Sequence, residues 1–135
     1  MVWKKLIIYW LPTLFWCTLI FILSSKPTTQ ASYFDLIDFI IKKSAHIFIY
    51  AMLYFLVFRA VNEVKIEFIN KRIKIKYTSG SSFFIPFLFC LLYAISDEYH
   101  QSFIPGRTAR IRDIGFDFIG MFIAYKYVLK NKFII

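Results

Sequence analysis

Cysteine, glycine and proline are all scarce in this chain, with two, four and four residues among 135. Cys17 and Cys90 both fall inside apolar runs. With no CxxC or metal-type spacing they read as small buried hydrophobes, so neither a disulfide nor a cysteine metal site is expected. Acids are scarce too: eight Asp and Glu face seventeen Lys and Arg, for a formal net charge of +9. Such an excess can signal nucleic acid, but the bases sit in blocks between apolar runs and form no reading helix, so no nucleic-acid partner is expected. Also missing are internal repeats, low-complexity tracts, an HExxH zinc helix and a GxSxG nucleophile elbow.

What is present is apolar surface. The chain is 59% hydrophobic and 21% aromatic, more than one small soluble core can hide. A soluble helical domain needs polar faces at helical spacing, and several segments have none, so lipid is the expected solvent. Lys4 and Lys5 precede a long apolar stretch that resembles a signal peptide. That stretch exceeds a usual h-region, and Ser24-Ser25-Lys26-Pro27 is a poor cleavage site, which predicts an uncleaved first span.

About 20 helical residues cross a bilayer core, and four segments qualify, near 6–23, 45–61, 83–102 and 111–129. The expected fold is therefore all-α, an integral membrane bundle of about four transmembrane helices forming one domain over 1–135. An amphipathic stretch over 33–42, with Phe34, Ile37 and Ile41 on one face, precedes the second span, and a basic loop over 62–82 follows it. Eleven of the seventeen bases lie at the termini and in that loop with its flank at Arg59, which predicts cytoplasmic termini. The other six, Lys26, Lys42, Lys43, Arg107, Arg110 and Arg112, fall on the opposite side. Function is one reason for a membrane protein to keep them there.

The same side collects the reactive groups. Lys43, His46 and Tyr50 project from one helical face, Asp97 lies one turn from His100 and Gln101, and Asp113 lies one turn from Asp117. One reading is a structural clamp, with Asp97, Glu98, Asp113 and Asp117 neutralised by Lys43, His46, His100 and Arg107. The other is a pocket for an anion, in which the Pro105-Gly106 turn presents Arg107 and the start of the fourth helix adds its positive dipole end. Glu98, His100, Asp113 and His46 also offer ligands for a divalent metal, but in no metal motif, and no metal or cofactor is expected. Ser96, Ser102 and Thr108 near His100 lack a nucleophile signature.

Two stretches resemble the VanZ-like family of small bacterial membrane proteins, named for a member associated with teicoplanin resistance. One is Lys43-Ser44-Ala45-His46-Ile47-Phe48-Ile49-Tyr50-Ala51, similar to the family's Lys, then His, then a Tyr-Ala pair at the head of a helix. The other is Ser96-Asp97-Glu98-Tyr99-His100-Gln101-Ser102-Phe103-Ile104-Pro105-Gly106-Arg107 followed by Asp113 and Gly120, similar to an Asp-Glu-x-His-Gln, Pro-Gly-Arg, Asp and Gly series. At Gly115-Phe116-Asp117 the chain departs from the family, which more often carries apolar residues and then Asn or Asp. The resemblance implies a multi-pass protein of the bacterial cytoplasmic membrane with a part in glycopeptide resistance, and brings no settled reaction.

The expected ligand is thus an anionic envelope molecule, an isoprenoid phosphate or a cell-wall precursor, with membrane lipid as the surrounding partner. Lys43, His46 and Arg107 are expected to contact the anion, with Asp97, Glu98 and Asp113 orienting them and Tyr50, His100, Gln101 and Asp117 completing the site. The alternatives are a membrane hydrolase or phosphatase of a lipid phosphate, using Glu98 with His100 or His46 in acid–base roles, and a structural subunit of an envelope complex.

Overall fold

The computed structural model describes residues 2–27, 35–72, 79–107 and 109–131, and these form four α-helices with no strand. They are α1 (Val2–Ser24), α2 (Asp35–Arg72), α3 (Ser79–Gln101) and α4 (Ile111–Lys130). Two of them, over Ile7–Ser24 and Leu36–Asn62, are long and apolar enough to cross a membrane. α4 carries Arg112, Asp113, Asp117, Lys126 and Lys130 within its twenty residues.

The amphipathic stretch and the second span expected from the sequence form one uninterrupted helix. α2 has 38 residues, about 57 Å at 1.5 Å per residue. Nothing in it breaks the backbone ladder, since residues 35–72 contain neither glycine nor proline. The segment read as a loop over 62–82 is accordingly helical at both ends, with 73–78 outside the described residues.

Cross-helix contacts fix an up-down-up-down order. Arg59 of α2 lies over the Tyr9 ring of α1, and Phe83 of α3 packs on Phe58 of α2 and Tyr125 of α4. At the other end Ser25 meets His100 and Lys43 meets Asp113. α1 and α3 thus run one way and α2 and α4 the other, so the start of α1 and the end of α4 share an end.

α2 is the central element. Tyr50, Leu53, Tyr54 and Val57, at the spacing of one helical stripe, are fully buried against Met121 and Val128 of α4 and Cys90 and Ala94 of α3. Tyr54, Phe87 and Phe118 stack edge to face in series, with ring centroids 5.9 and 5.1 Å apart. α2 and α4 come close at Gly120, which faces the main chain of Ile47 and Ala51 with no room for a side chain. Both cysteines are free, Cys17 half-buried and Cys90 buried.

Candidate functional site

The end of the bundle away from the termini gathers the close of α1, the first turns of α2, the last turn of α3, the linker after it and the start of α4. Local geometry builds the linker. Phe103 and Ile104 continue the α3 backbone bonds, Arg107 N donates to Ile104 O at 3.1 Å, and Gly106 takes φ +79°, where a side chain is strained. Glu98 holds the far end of the linker, its Oε2 accepting from Arg110 N at 2.9 Å. Arg110 caps α4 in an extended conformation without a side-chain cap bond, so the first-turn amides keep their attraction for negative charge.

Two rungs join α2 to α4. Lys43 Nζ lies 2.5 Å from Asp113 Oδ1, and one turn deeper His46 Nδ1 lies 2.9 Å from Asp117 Oδ1. The spacing of three on α2 and four on α4 keeps both rungs on facing stripes. Gly120, one turn below Asp117, lets the helices come close enough for both.

A third network ties α3 and the linker to α1. Gln101 Nε2 donates to Asp97 Oδ2 at 2.9 Å, and Gln101 Oε1 accepts from Arg107 Nη1 at 2.7 Å. The same guanidinium donates through Nε to Lys26 O at 2.9 Å and through Nη2 to Leu23 O at 3.2 Å. Arg107 thereby fastens the last turn of α1, where carbonyls have no partner within the helix.

These groups surround a cavity of about 870 Å³. All six bases that the sequence sets apart from the termini line it: Lys26, Lys42, Lys43, Arg107, Arg110 and Arg112. The carboxylates in its lining are Asp38, Asp97 and Asp113, two of them taken by Lys42, at 2.6 Å, and Lys43. Arg112 stacks 5.3 Å from the Phe39 ring centroid. Apolar lining comes from Ile20, Leu23 and Ile49, and Tyr50 closes the floor with a buried hydroxyl that has no hydrogen-bond partner among the described residues.

The structure brings Lys43, His46, Tyr50, Asp97, Gln101, Arg107 and Asp113 to this cavity. Glu98, His100 and Asp117 stand outside its lining. His100 turns to α1, with Nε2 3.0 Å from Ser25 Oγ and its ring 4.5 Å from that of Phe21, rather than to an acid. Asp117 acts from behind His46. Asp97 pairs with a neutral amide, so the clamp expected from the sequence forms at two of its four acids. Sequence reasoning set Lys26, Lys42, Arg110 and Arg112 on this side without naming them as site residues, and missed Asp38 altogether; the Asp38–Lys42 spacing of four was the available signal for the last. Among the described residues, no group of three or more His, Cys, Asp or Glu side chains is set to hold a metal ion.

Comparison with curated proteins returned no match, and neither did comparison with solved structures. A family model does match, over residues 9–131, taking in both motif stretches, most of α1, the other three helices and every lining residue of the cavity. On that match across nearly the whole chain, the protein belongs to the VanZ/LLP1 family.

Proposed function

We propose that the chain crosses the bacterial cytoplasmic membrane with all four helices and both termini in the cytoplasm. On the outer side the cavity holds an anionic envelope ligand, an isoprenoid phosphate or a cell-wall precursor, and through it the protein lowers susceptibility to glycopeptide antibiotics. Family membership supports the last part. The membrane reading is supported by large apolar side chains left exposed along the bundle, among them Leu11 and Phe15 of α1, Leu92 of α3 and Ile123 of α4, each more than half exposed. A water-soluble monomer rarely leaves so continuous an apolar surface.

The observation that carries the ligand reading is the meeting at one cavity of six bases from three separate stretches of the chain. Lys26, Arg107 and Arg112 have no carboxylate within ion-pair distance among the described residues. Lys43 is held by Asp113 and Arg107 by α1, so Lys26, Arg112 and His46 become the leading contacts for the anion, and Lys43 a member of the frame.

The test is binding by purified protein in nanodiscs, comparing farnesyl monophosphate with farnesol. The phosphate should bind at least tenfold tighter, with an advantage that shrinks as salt rises, and Lys26→Gln with Arg112→Gln should remove it. Equal binding of alcohol and phosphate would refute the reading. In cells, Arg112→Gln should restore teicoplanin susceptibility at unchanged membrane levels.

A further inference from the structure

His46 extends the cavity's role from holding an anion to acting on it, a step that stands only if the anion binds there. Its Nδ1 is 2.9 Å from Asp117 Oδ1, and Asp117 is 1% exposed. An ionised carboxylate only accepts, so the ring proton on that side sits on Nδ1. The remaining nitrogen, Nε2, belongs to a side chain that lines the cavity and has no partner among the described residues. A ring fixed in one tautomer by a buried acid, with its other nitrogen unengaged beside a cationic cavity, is the arrangement of a general base.

The rest of the lining narrows the chemistry. Ser24 is engaged, its Oγ donating to Phe21 O at 3.1 Å, and neither cysteine lines the cavity. Tyr50, the other hydroxyl in the lining, is 1% exposed in the floor, which leaves water as the nucleophile. Lys26 and Arg112, without carboxylate partners among the described residues and not tied to α1 as Arg107 is, suit a ligand bearing at least two negative charges, which a diphosphate has and a carboxylate lacks. A diphosphate also loses a phosphate monoester that departs as a stable anion and needs no acid to protonate it.

We infer that this cavity hydrolyses the phosphoanhydride bond of an organic diphosphate, with His46 as general base and Asp117 as its positioning residue. The oxygen of water bonds to the terminal phosphorus as the bridging P–O bond breaks. The bridging oxygen leaves with the organic monophosphate, inorganic phosphate is released, and one proton of the water passes to His46 Nε2 and then to solvent. Lys26 and Arg112 offset the charge of the terminal phosphate during transfer.

The experiment uses the full chain in nanodiscs, with and without magnesium. Phosphate release is followed from farnesyl diphosphate and from tailless methyl diphosphate, beside binding of a methylene-bridged farnesyl diphosphate analogue that resists hydrolysis. Release of one phosphate per farnesyl diphosphate is expected. His46→Ala should lower the rate at least 100-fold and regain activity when imidazole is added, which a merely structural histidine would not do. Asp117→Asn should lower kcat at least tenfold with KM unchanged. Release from the tailed substrate alone, or from both, supports the step and identifies its source. Analogue binding without phosphate release in either buffer, or full activity of His46→Ala, overturns the hydrolysis and leaves the binding reading standing. Failure of wild-type protein to bind the analogue overturns both.

Discussion

Substituting Gly120 by alanine tests how the rungs are set. A methyl group there would lie 3.0 Å from Ile47 C and 3.1 Å from Ala51 N, and closer than either to Ile47 O. All three atoms are main chain, so no rotamer relieves the overlap, and α4 must retreat from α2 by on the order of 1 Å, since closely packed interiors have no slack to absorb it. Overpacking of this kind costs about 1–3 kcal/mol. The retreat falls one turn from the His46–Asp117 contact, and adding it to 2.9 Å carries that pair past hydrogen-bonding distance. Equilibrium unfolding in mixed micelles should show Gly120→Ala destabilised by about 1–3 kcal/mol, with anionic-ligand affinity reduced beside it. Gly115→Ala is the internal control: nothing lies within 4 Å of its added methyl, so it should be neutral or gain up to about 1 kcal/mol from helix propensity. If the two variants unfold alike, close approach of α2 and α4 does not set the site.

Three more perturbations separate frame from ligand contact. Lys43→Met or Asp113→Leu alone should destabilise by about 2–4 kcal/mol, because each strands a largely buried charge, while the double variant should lose less than the sum in a double-mutant cycle. Arg107→Lys keeps the charge but not the fork that reaches Leu23 O, Lys26 O and Gln101 Oε1, so hydrogen exchange at 23–27 should quicken by about tenfold while the amides of 50–57 hold their protection. Gly106→Ala should cost about 1–2 kcal/mol by forcing a side chain into the left-handed region, read as a lowered unfolding midpoint.

Much of the helical layout is legible because apolar runs announce themselves, yet polarity does not mark where a helix stops. Residues 62–72 look like loop by charge, but Asn, Glu, Lys and Arg are all tolerated in helices and no glycine or proline intervenes, so α2 runs on to Arg72. Site residues on α2 and α4 were legible as helical stripes, since Lys43 with His46 and Asp113 with Asp117 must share faces. Partner choice on α3 was not. A helix turns 100° per residue, so Asp97 and Gln101 share one face while His100 is carried round to α1. Which face meets which neighbour depends on the packing of the whole bundle. Nor does a sequence show that the donors of Arg107 end on main-chain carbonyls, since those acceptors exist at every position.

That last feature governs how α1 can change over time. Tyr93 Oη donates to Cys17 O at 2.7 Å, and Arg107 grips Leu23 O and Lys26 O, so these bonds hold the peptide track and are indifferent to which residue supplies it. Among the described residues only Trp16, donating to Ile49 O at 3.0 Å, and Ser25 join α1 to another helix or the linker through hydrogen bonds of their own side chains. The outward side of this helix can therefore drift among apolar residues without loosening its seat against the cavity.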